Sequence, residues 1–330
     1  MKRNPIRSTG LSLTELTLGG AALGNLYTPI TDEDAEAAVE AAWAAGIRSF
    51  DTAPHYGLGL SERRMGKALA GRPRDEFVIS TKVGRLLIPN GEPKGLDPHF
   101  AVPATHRRLW DFSAEGVRRS VDDSLERLGL DRIDILYLHD PDDHWSEAVG
   151  SAFPALAEMR AQGMVAAIGA GMNQSPMLTK FVRETDVDIV MLAGRYTLLD
   201  QSALSDVLPS CVDRGVAVVK VGVFNSGLLA TEKPQPGMRY DYVEAPADLI
   251  ARARAIAIIC ERYGSSLPAA ALQFGRSHPA VVSTAFGAGT ANQVRRNCSL
   301  LDAEVSSDLW DALVTDGLLV PPNGRAEGTG

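Results

Sequence analysis

The sequence predicts a single (β/α)8 barrel with an N-terminal β-hairpin and an appended C-terminal helix, and three observations predict it. Apolar strand-like runs and helical runs alternate eight times through nearly all of the 330 residues, the arrangement of a parallel sheet wrapped by helices. The strand runs are rich in β-branched and aliphatic residues with little polar alternation, as strands covered on both faces are. A doubly wound dinucleotide fold would want G-x-G-x-x-G after an early strand. The three G-x-G starts, at Gly57, Gly169 and Gly287, are followed by Glu62, Gln174 and Asn292 where the last glycine belongs. No break in composition marks a second unit, so residues 1–330 are read as one barrel domain.

In chain order, residues 7–18 read as a small hairpin turning at Thr9-Gly10. The first strand, 16–20, precedes Thr31, an N-cap, and the acidic first turn Asp32-Glu33-Asp34 of a helix running to Gly46. Strand 48–52 ends where Pro54 cannot continue a ladder. Ser61-Glu62 opens the next helix, which stops near Gly71-Arg72-Pro73, and strand 77–82 follows. Residues 84–112 read as irregular, and a loop that long in a compact domain is usually functional. Ser113 caps a helix with Val117, Val121, Leu125 and Leu128 on its apolar face. The remaining units pair strand 133–139 with helix 147–162, 165–171 with 176–183, 188–194 with 203–213, 217–223 with 246–263 and 280–286 with 292–301. A helix around 307–314 is appended, and the polar, Gly-rich tail at 321–330 is expected to be flexible.

The chain is 45% hydrophobic and 22% charged, with a formal net charge of −8. That balance offers no basic footprint for nucleic acid or an anionic membrane, and points to a small-molecule partner. Cys211, Cys260 and Cys298 form no CxxC and read as structural thiols in a reducing compartment. The N-terminus lacks a signal-peptide core and no run is long enough to span a membrane, so a cytoplasmic protein is expected. Oligomeric state is left open.

Barrel strands converge at their C-terminal ends on one pocket mouth. Asp51 closes the second strand, Tyr56 lies on the turn after it, Lys82 ends the third strand and His139 the fourth. Singly these are a turn cap, a packed ring, a surface charge and a satisfied polar group; together at successive tips they read as a site. Tyr56 is the expected general acid/base, Lys82 the cation that lowers its pKa, Asp51 the partner holding Lys82, and His139 the group orienting the substrate oxygen. With no nucleophile or metal cage, the set suits carbonyl/alcohol interconversion with hydride from a cofactor. The run His139-Asp140-Pro141-Asp142-Asp143-His144 could be taken for metal-hydrolase ligands, but Pro141 and its turn make that geometry awkward, and no metal is expected.

These residues, with Asp51-Thr52-Ala53, Tyr56-Gly57, Ser80-Thr81-Lys82-Val83, Asp134-Ile135-Leu136-Tyr137-Leu138-His139 and the Gly-rich end of the eighth unit leading to Asn297, resemble the aldo-keto reductase superfamily over nearly the whole chain. Residues 80–87 and 194–200 resemble its bacterial sugar dehydrogenases acting on L-fucose and D-threo-aldoses; pyridoxal 4-dehydrogenases and plant L-galactose dehydrogenases are similar. The resemblance implies a barrel binding an extended nicotinamide dinucleotide without a Rossmann domain, with the roles above for the four residues. It implies cofactor contacts from Asn173, from Val221, Gly222, Val223, Phe224, Asn225, Ser226, Gly227 and Leu228, and from Gly287, Ala288, Gly289, Thr290, Gln293 and Asn297.

Met172, Ala193 and Val221 stand where relatives place Ser, Gln and a stacking aromatic. Gly287 and Gln293 replace the cations that clamp the 2′-phosphate in NADPH-specific relatives, which favours NAD, with NADP possible and Arg295 and Arg296 nearby. His55, Trp110, Trp145 and the 84–112 stretch are the candidate substrate residues. The expected activity is oxidation of an L-fucose-, L-galactose- or D-arabinose-like sugar to its lactone. Pyridoxal or general aldehyde/ketone chemistry, and a redox-sensing subunit, are the alternatives.

Overall fold

The computed structural model describes residues 1–321 except Ser8 and Lys94, so the expected flexible tail from residue 322 lies outside the described residues. The chain opens with the antiparallel hairpin β1 (Arg3–Pro5) and β2 (Ser12–Thr14), in which Asn4 faces Leu13. Its arms sit further apart than the 7–18 reading because Ile6 and Leu13 both bury in the barrel interior, which the hairpin plugs from below. The barrel begins at β3 (Leu16–Gly19), followed by α1 (Asp32–Ala44), whose N-cap Thr31 accepts from the Asp34 N–H as expected. Then come β4 (Ser49–Asp51), α2 (Leu60–Leu69) and β5 (Val78–Val83).

The stretch expected to be irregular contains an antiparallel hairpin, β6 (Arg85–Pro89) and β7 (His106–Trp110), pairing Arg85 with Trp110. Its strands escape recognition because polar His106, Arg107 and Arg108 break any apolar run. Next are α3 (Ala114–Leu128), β8 (Ile135–His139), the single turn α4 (Trp145–Glu147), a π-helical turn over Ala148–Ala152, and α5 (Phe153–Ala161). They lead to β9 (Ala167–Met172), α6 (Ser175–Glu184), β10 (Ile189–Ala193), α7 (Val207–Arg214) and β11 (Ala217–Val221). A second unforeseen hairpin, β12 (Arg239–Tyr240) and β13 (Val243–Glu244), precedes α8 (Ala247–Arg262), α9 (Leu267–Gln273), β14 (Val281–Gly287), α10 (Ala291–Asp302) and α11 (Ser307–Thr315).

Eight parallel strands close in the order β3-β4-β5-β8-β9-β10-β11-β14, with β14 pairing back to β3. Ile135, Tyr137, Met191, Val219 and Ala285 fill the interior, while a larger apolar layer joins the strands to the helix ring. One helix differs from the expectation. The short α9 packs beside α10 in the ring, whereas α8 pairs with the appended α11 over a separate apolar cluster of Leu199, Leu228, Ile256 and Leu313. The run 246–263 is thus an added helix. Its length made it look like the seventh barrel helix, and a seven-residue helix after Ser266 carries little periodicity of its own. No described helix is long and apolar enough to cross a membrane.

Candidate active site

Register places the site. Asp51 lies opposite Ser80, Lys82 opposite Tyr137 and His139 opposite Gly171. Because side chains alternate along a strand, Ser80 and Lys82 share one face, as do Tyr137 and His139. Lys82 Nζ donates to Asp51 Oδ2 at 2.7 Å and to the Thr52 carbonyl at 2.8 Å, and Ser80 Oγ donates to Asp51 Oδ1 at 2.7 Å. Burial pulls the Lys82 ammonium pKa down, but Asp51 and then Tyr56 more than offset it, so the group is held above its ordinary value.

Tyr56 arrives from a tight backbone crossing. A Cβ on Gly57, itself at φ +62°, would stand 2.4 Å from the Gly24 carbonyl oxygen, and one on Gly24 would stand 2.6 Å from the Tyr56 carbonyl carbon. Only glycine fits both places. The Tyr56 ring then lies with its centroid 4.6 Å from Lys82 Nζ and 5.9 Å from the His139 ring, edge-on at 88°. The expected lowering of the phenol pKa is not the net result: burial raises it, and Lys82 opposes this without reversing it. In the resting pocket the phenol is therefore protonated at neutral pH.

Burial, followed by the charges of Arg85 and Lys82, holds the His139 pKa well below its ordinary value; burial and then Arg85 bring His55 to about 2. Both imidazoles are neutral near pH 7, and each has a buried Nδ1 without a hydrogen-bond partner among the described residues. In the unfolded chain they protonate near 6.5. Below that pH the unfolded state binds more protons, so stability present at pH 7 is lost as pH falls from about 6.5, for His55 down to about 2. Denaturant titrations are expected to show a loss approaching 1 kcal/mol per pH unit for each histidine between pH 6.5 and 5, with His55→Asn flattening the slope.

Two adjoining cavities, of about 450 and about 490 Å³, meet at Tyr56 and share Ala21, Tyr27, Asn173, Val221 and Tyr242. The first runs along strand ends and the loop after β11. Of the residues expected to contact a cofactor, Val221, Gly222, Val223, Phe224, Asn225, Ser226, Gly227, Gly287, Ala288 and Gln293 line it. Leu228 does not, since it turns into the α8–α11 core. Gly289 packs near Ile30, Thr290 caps α10, and Asn297 is buried along that helix, so none of these three reaches the lining. The Gln293 side-chain oxygen accepts from the Gly289 N–H at 2.8 Å, while the Gln293 backbone N–H donates to Thr290 Oγ1 at 3.3 Å. Arg295 and Arg296 donate to Asn292 Oδ1 and the Ala230 carbonyl.

The fit to an extended dinucleotide rests on Asn225, whose amide nitrogen and oxygen are both buried and unpartnered among the described residues. A buried amide with nothing to bond is costly unless a ligand completes it. The β12–β13 turn crosses this cavity, the Tyr242 N–H donating to Ser226 Oγ at 3.1 Å and Arg195 binding Asp241 at 2.7 Å.

The second cavity is lined by His55, Tyr56, Lys82, His139 and Asp140, with His99, Phe100 and Arg239. Arg108 ties the 84–112 stretch to it, donating to the His55 carbonyl at 3.1 Å and to both Asp97 oxygens at 2.6 and 3.0 Å. Of the substrate candidates, His55 and the 84–112 stretch, through Pro98, His99 and Phe100, reach the cavity, whereas the two tryptophans do not. Trp110 stands outside its lining, under the Arg85 guanidinium at 4.2 Å; Trp145 packs on Phe181 at 4.7 Å beneath Lys180. His144 lies 5.1 Å from Trp110, and no cluster of three potential metal ligands occurs among the described residues.

Tyr27, Tyr242 and Arg239 were not anticipated. The two tyrosines sit at φ +65° and +68° in short turns, where no periodic pattern marks them.

Comparison with known proteins gives a consistent picture. A model of the aldo/keto reductase family matches residues 15–315. The chain is 49% identical to D-threo-aldose 1-dehydrogenase from a Pseudomonas species, over 96% of this chain and 97% of that one. It is 40% identical to pyridoxal 4-dehydrogenase from Microbacterium luteolum, over 96% and 98%. The solved structure of aldo-keto reductase AKR11C1 from Bacillus halodurans, in its holo form, matches over 98% of this chain and 99% of that one with a TM-score of 0.77 at 24% identity, a likeness of fold.

Proposed function

This chain belongs to the aldo/keto reductase family of NAD(P)-dependent oxidoreductases, and from that premise we propose that it oxidises the anomeric hydroxyl of an aldose to a lactone, with NAD as hydride acceptor. The observation that carries the reading is the position of Tyr56 where the two cavities meet, with Lys82 and His139 beside it. A bound nicotinamide supplies the chemistry of accepting a hydride from the anomeric carbon. For oxidation the Tyr56 phenol first gives its own proton to solvent and, as phenolate, takes the hydroxyl proton as the anomeric C–H bond breaks; in the reverse direction the neutral phenol gives its proton to the carbonyl. His139, neutral and buried, holds the reacting oxygen by a hydrogen bond, which orients the anomeric carbon. Lys82 stabilises the phenolate, the form that accepts the proton in oxidation and is left behind in reduction, and Asp51 keeps Lys82 charged and in place.

The sugar class, resembling L-fucose, L-galactose or D-arabinose, is supported by the relative that acts on D-threo-aldoses. A pyridoxal reading is supported by the second relative and by the aromatic walls Tyr27, Phe100 and Tyr242, which suit a flat ring. Initial rates of NADH and NADPH formation with an aldose panel and with pyridoxal decide between them. Turnover of an aldose in preference to pyridoxal is expected; pyridoxal turnover with no aldose turnover would overturn the sugar assignment.

The NAD preference rests on neutral Gln293 and Gly287 in the lining of the cofactor cavity, which Arg295 and Arg296 do not join, Arg295 donating to Asn292 and Arg296 to the Ala230 carbonyl at its edge. Gln293→Arg is expected to raise the NADP-to-NAD ratio of kcat/KM by about tenfold, as one charge-assisted phosphate contact would. An unchanged ratio would show that this end does not read the 2′-phosphate.

A further inference from the structure

Asp140 is the single carboxylate lining the substrate cavity among the described residues. It follows His139 directly, at φ +43°, a left-handed conformation that aspartate tolerates better than most residues. Its N–H is pinned to the Gly171 carbonyl at 3.0 Å, and its Oδ2 pairs with Arg85. The pair is lopsided: the Asp140 side chain is 35% exposed and that of Arg85 13%, so the carboxylate is the more open half. Asp140 Oδ2 lies 3.7 Å from His139 Nε2. Oxygens on neighbouring carbons of a sugar stand about as far apart as hydrogen-bonded atoms, roughly 2.8 Å. A substrate whose reacting oxygen rests on His139 therefore carries its next hydroxyl within reach of Asp140. A carboxylate has room for more acceptances than the one Arg85 uses.

Building on the aldose reading, we propose that Asp140 is a substrate-specificity residue that accepts a hydrogen bond from the hydroxyl vicinal to the reacting carbon, selecting vicinally hydroxylated sugars. Arg85 orients the carboxylate, and Tyr27, Phe100 and Tyr242 offer ring faces to the apolar side of the sugar.

The test compares an aldose that the enzyme oxidises with its 2-deoxy counterpart, in the wild type and in Asp140→Gly and Asp140→Asn. Glycine is at ease at this φ and asparagine tolerates it, and NADH binding followed by fluorescence reports an intact fold; should the glycine variant not fold, asparagine carries the comparison. The wild type is expected to favour the aldose by about tenfold or more in kcat/KM, the effect of a hydrogen bond to a charged group. That preference should collapse to within about threefold in Asp140→Gly and fall partway in Asp140→Asn. A wild type indifferent to the 2-hydroxyl, or a preference that survives both substitutions, would overturn the role of Asp140 and leave the aldose reading standing. A wild type that reduces simple carbonyls and oxidises no aldose would remove both.

Discussion

Tyr56→Phe is expected to lower kcat for the proposed alcohol oxidation by about 10²- to 10⁴-fold, the usual worth of a positioned general acid/base, while NADH binding is retained. The substitution removes one oxygen and keeps the ring, whose neighbours include Phe100 at 6.0 Å and His139 at 5.9 Å between centroids. Both cavities therefore keep their shape. What goes is the phenol hydroxyl that stands beside Lys82 and His139 where the cavities meet. Steady-state turnover in both directions, alongside fluorescence titration with NADH, separates loss of chemistry from loss of cofactor. A folded, NADH-binding variant with near wild-type turnover would sink the assignment of Tyr56.

Lys82→Met should be costly in a different way. Lys82 and Asp51 are 2% and 4% exposed, and Lys82 is the cationic partner of the Asp51 carboxylate. Methionine would leave that carboxylate buried opposite an apolar chain, with Ser80 alone among the described residues still donating to it. Breaking a buried pair from one side costs about 3–5 kcal/mol, and turnover should fall with it, because the Lys82 charge that opposes the burial raising the Tyr56 phenol is gone. Adding Asp51→Asn removes the orphaned charge. The double variant is expected to recover most of the stability and none of the lost turnover. Recovery of both would show that Lys82 acts only through folding, and denaturant unfolding with parallel rate measurements would report it.

The barrel was legible because its eight strands, and the helices of every unit but the seventh, announce themselves locally. Thr31 and Ser113 cap the helices they were expected to cap, and the barrel strands are short apolar runs whose burial on both faces leaves no alternation to misread. Once strands are parallel and consecutive, their C-terminal tips must share one end, so the grouping of Asp51, Tyr56, Lys82 and His139 was also within reach of the sequence. Residues without a periodic signature were harder. The β6–β7 and β12–β13 hairpins are braced by the Arg108–Asp97 and Arg195–Asp241 ion pairs, whose partners are not neighbours in the chain and so leave no local pattern. Tyr27 and Tyr242 reach the cavities only because their turns adopt positive φ. Trp110 and Trp145 misled in the opposite sense, since an indole packs equally well against Arg85 or Phe181 as against a ligand.

By itself, then, the sequence determined the barrel's strands, all but one of its helices and which residue types stand at its strand tips, because hydrophobic period, caps and turns act between residues close in the chain. Tertiary structure decided the rest: that α9, not α8, completes the helix ring, that Leu228 and Trp145 pack inward while Tyr242 covers the pocket, and that burial outweighs Lys82 in setting the Tyr56 phenol. Each of these depends on how much water is excluded and which distant groups meet, and desolvation is a property of the assembled pocket rather than of any segment that contributes to it.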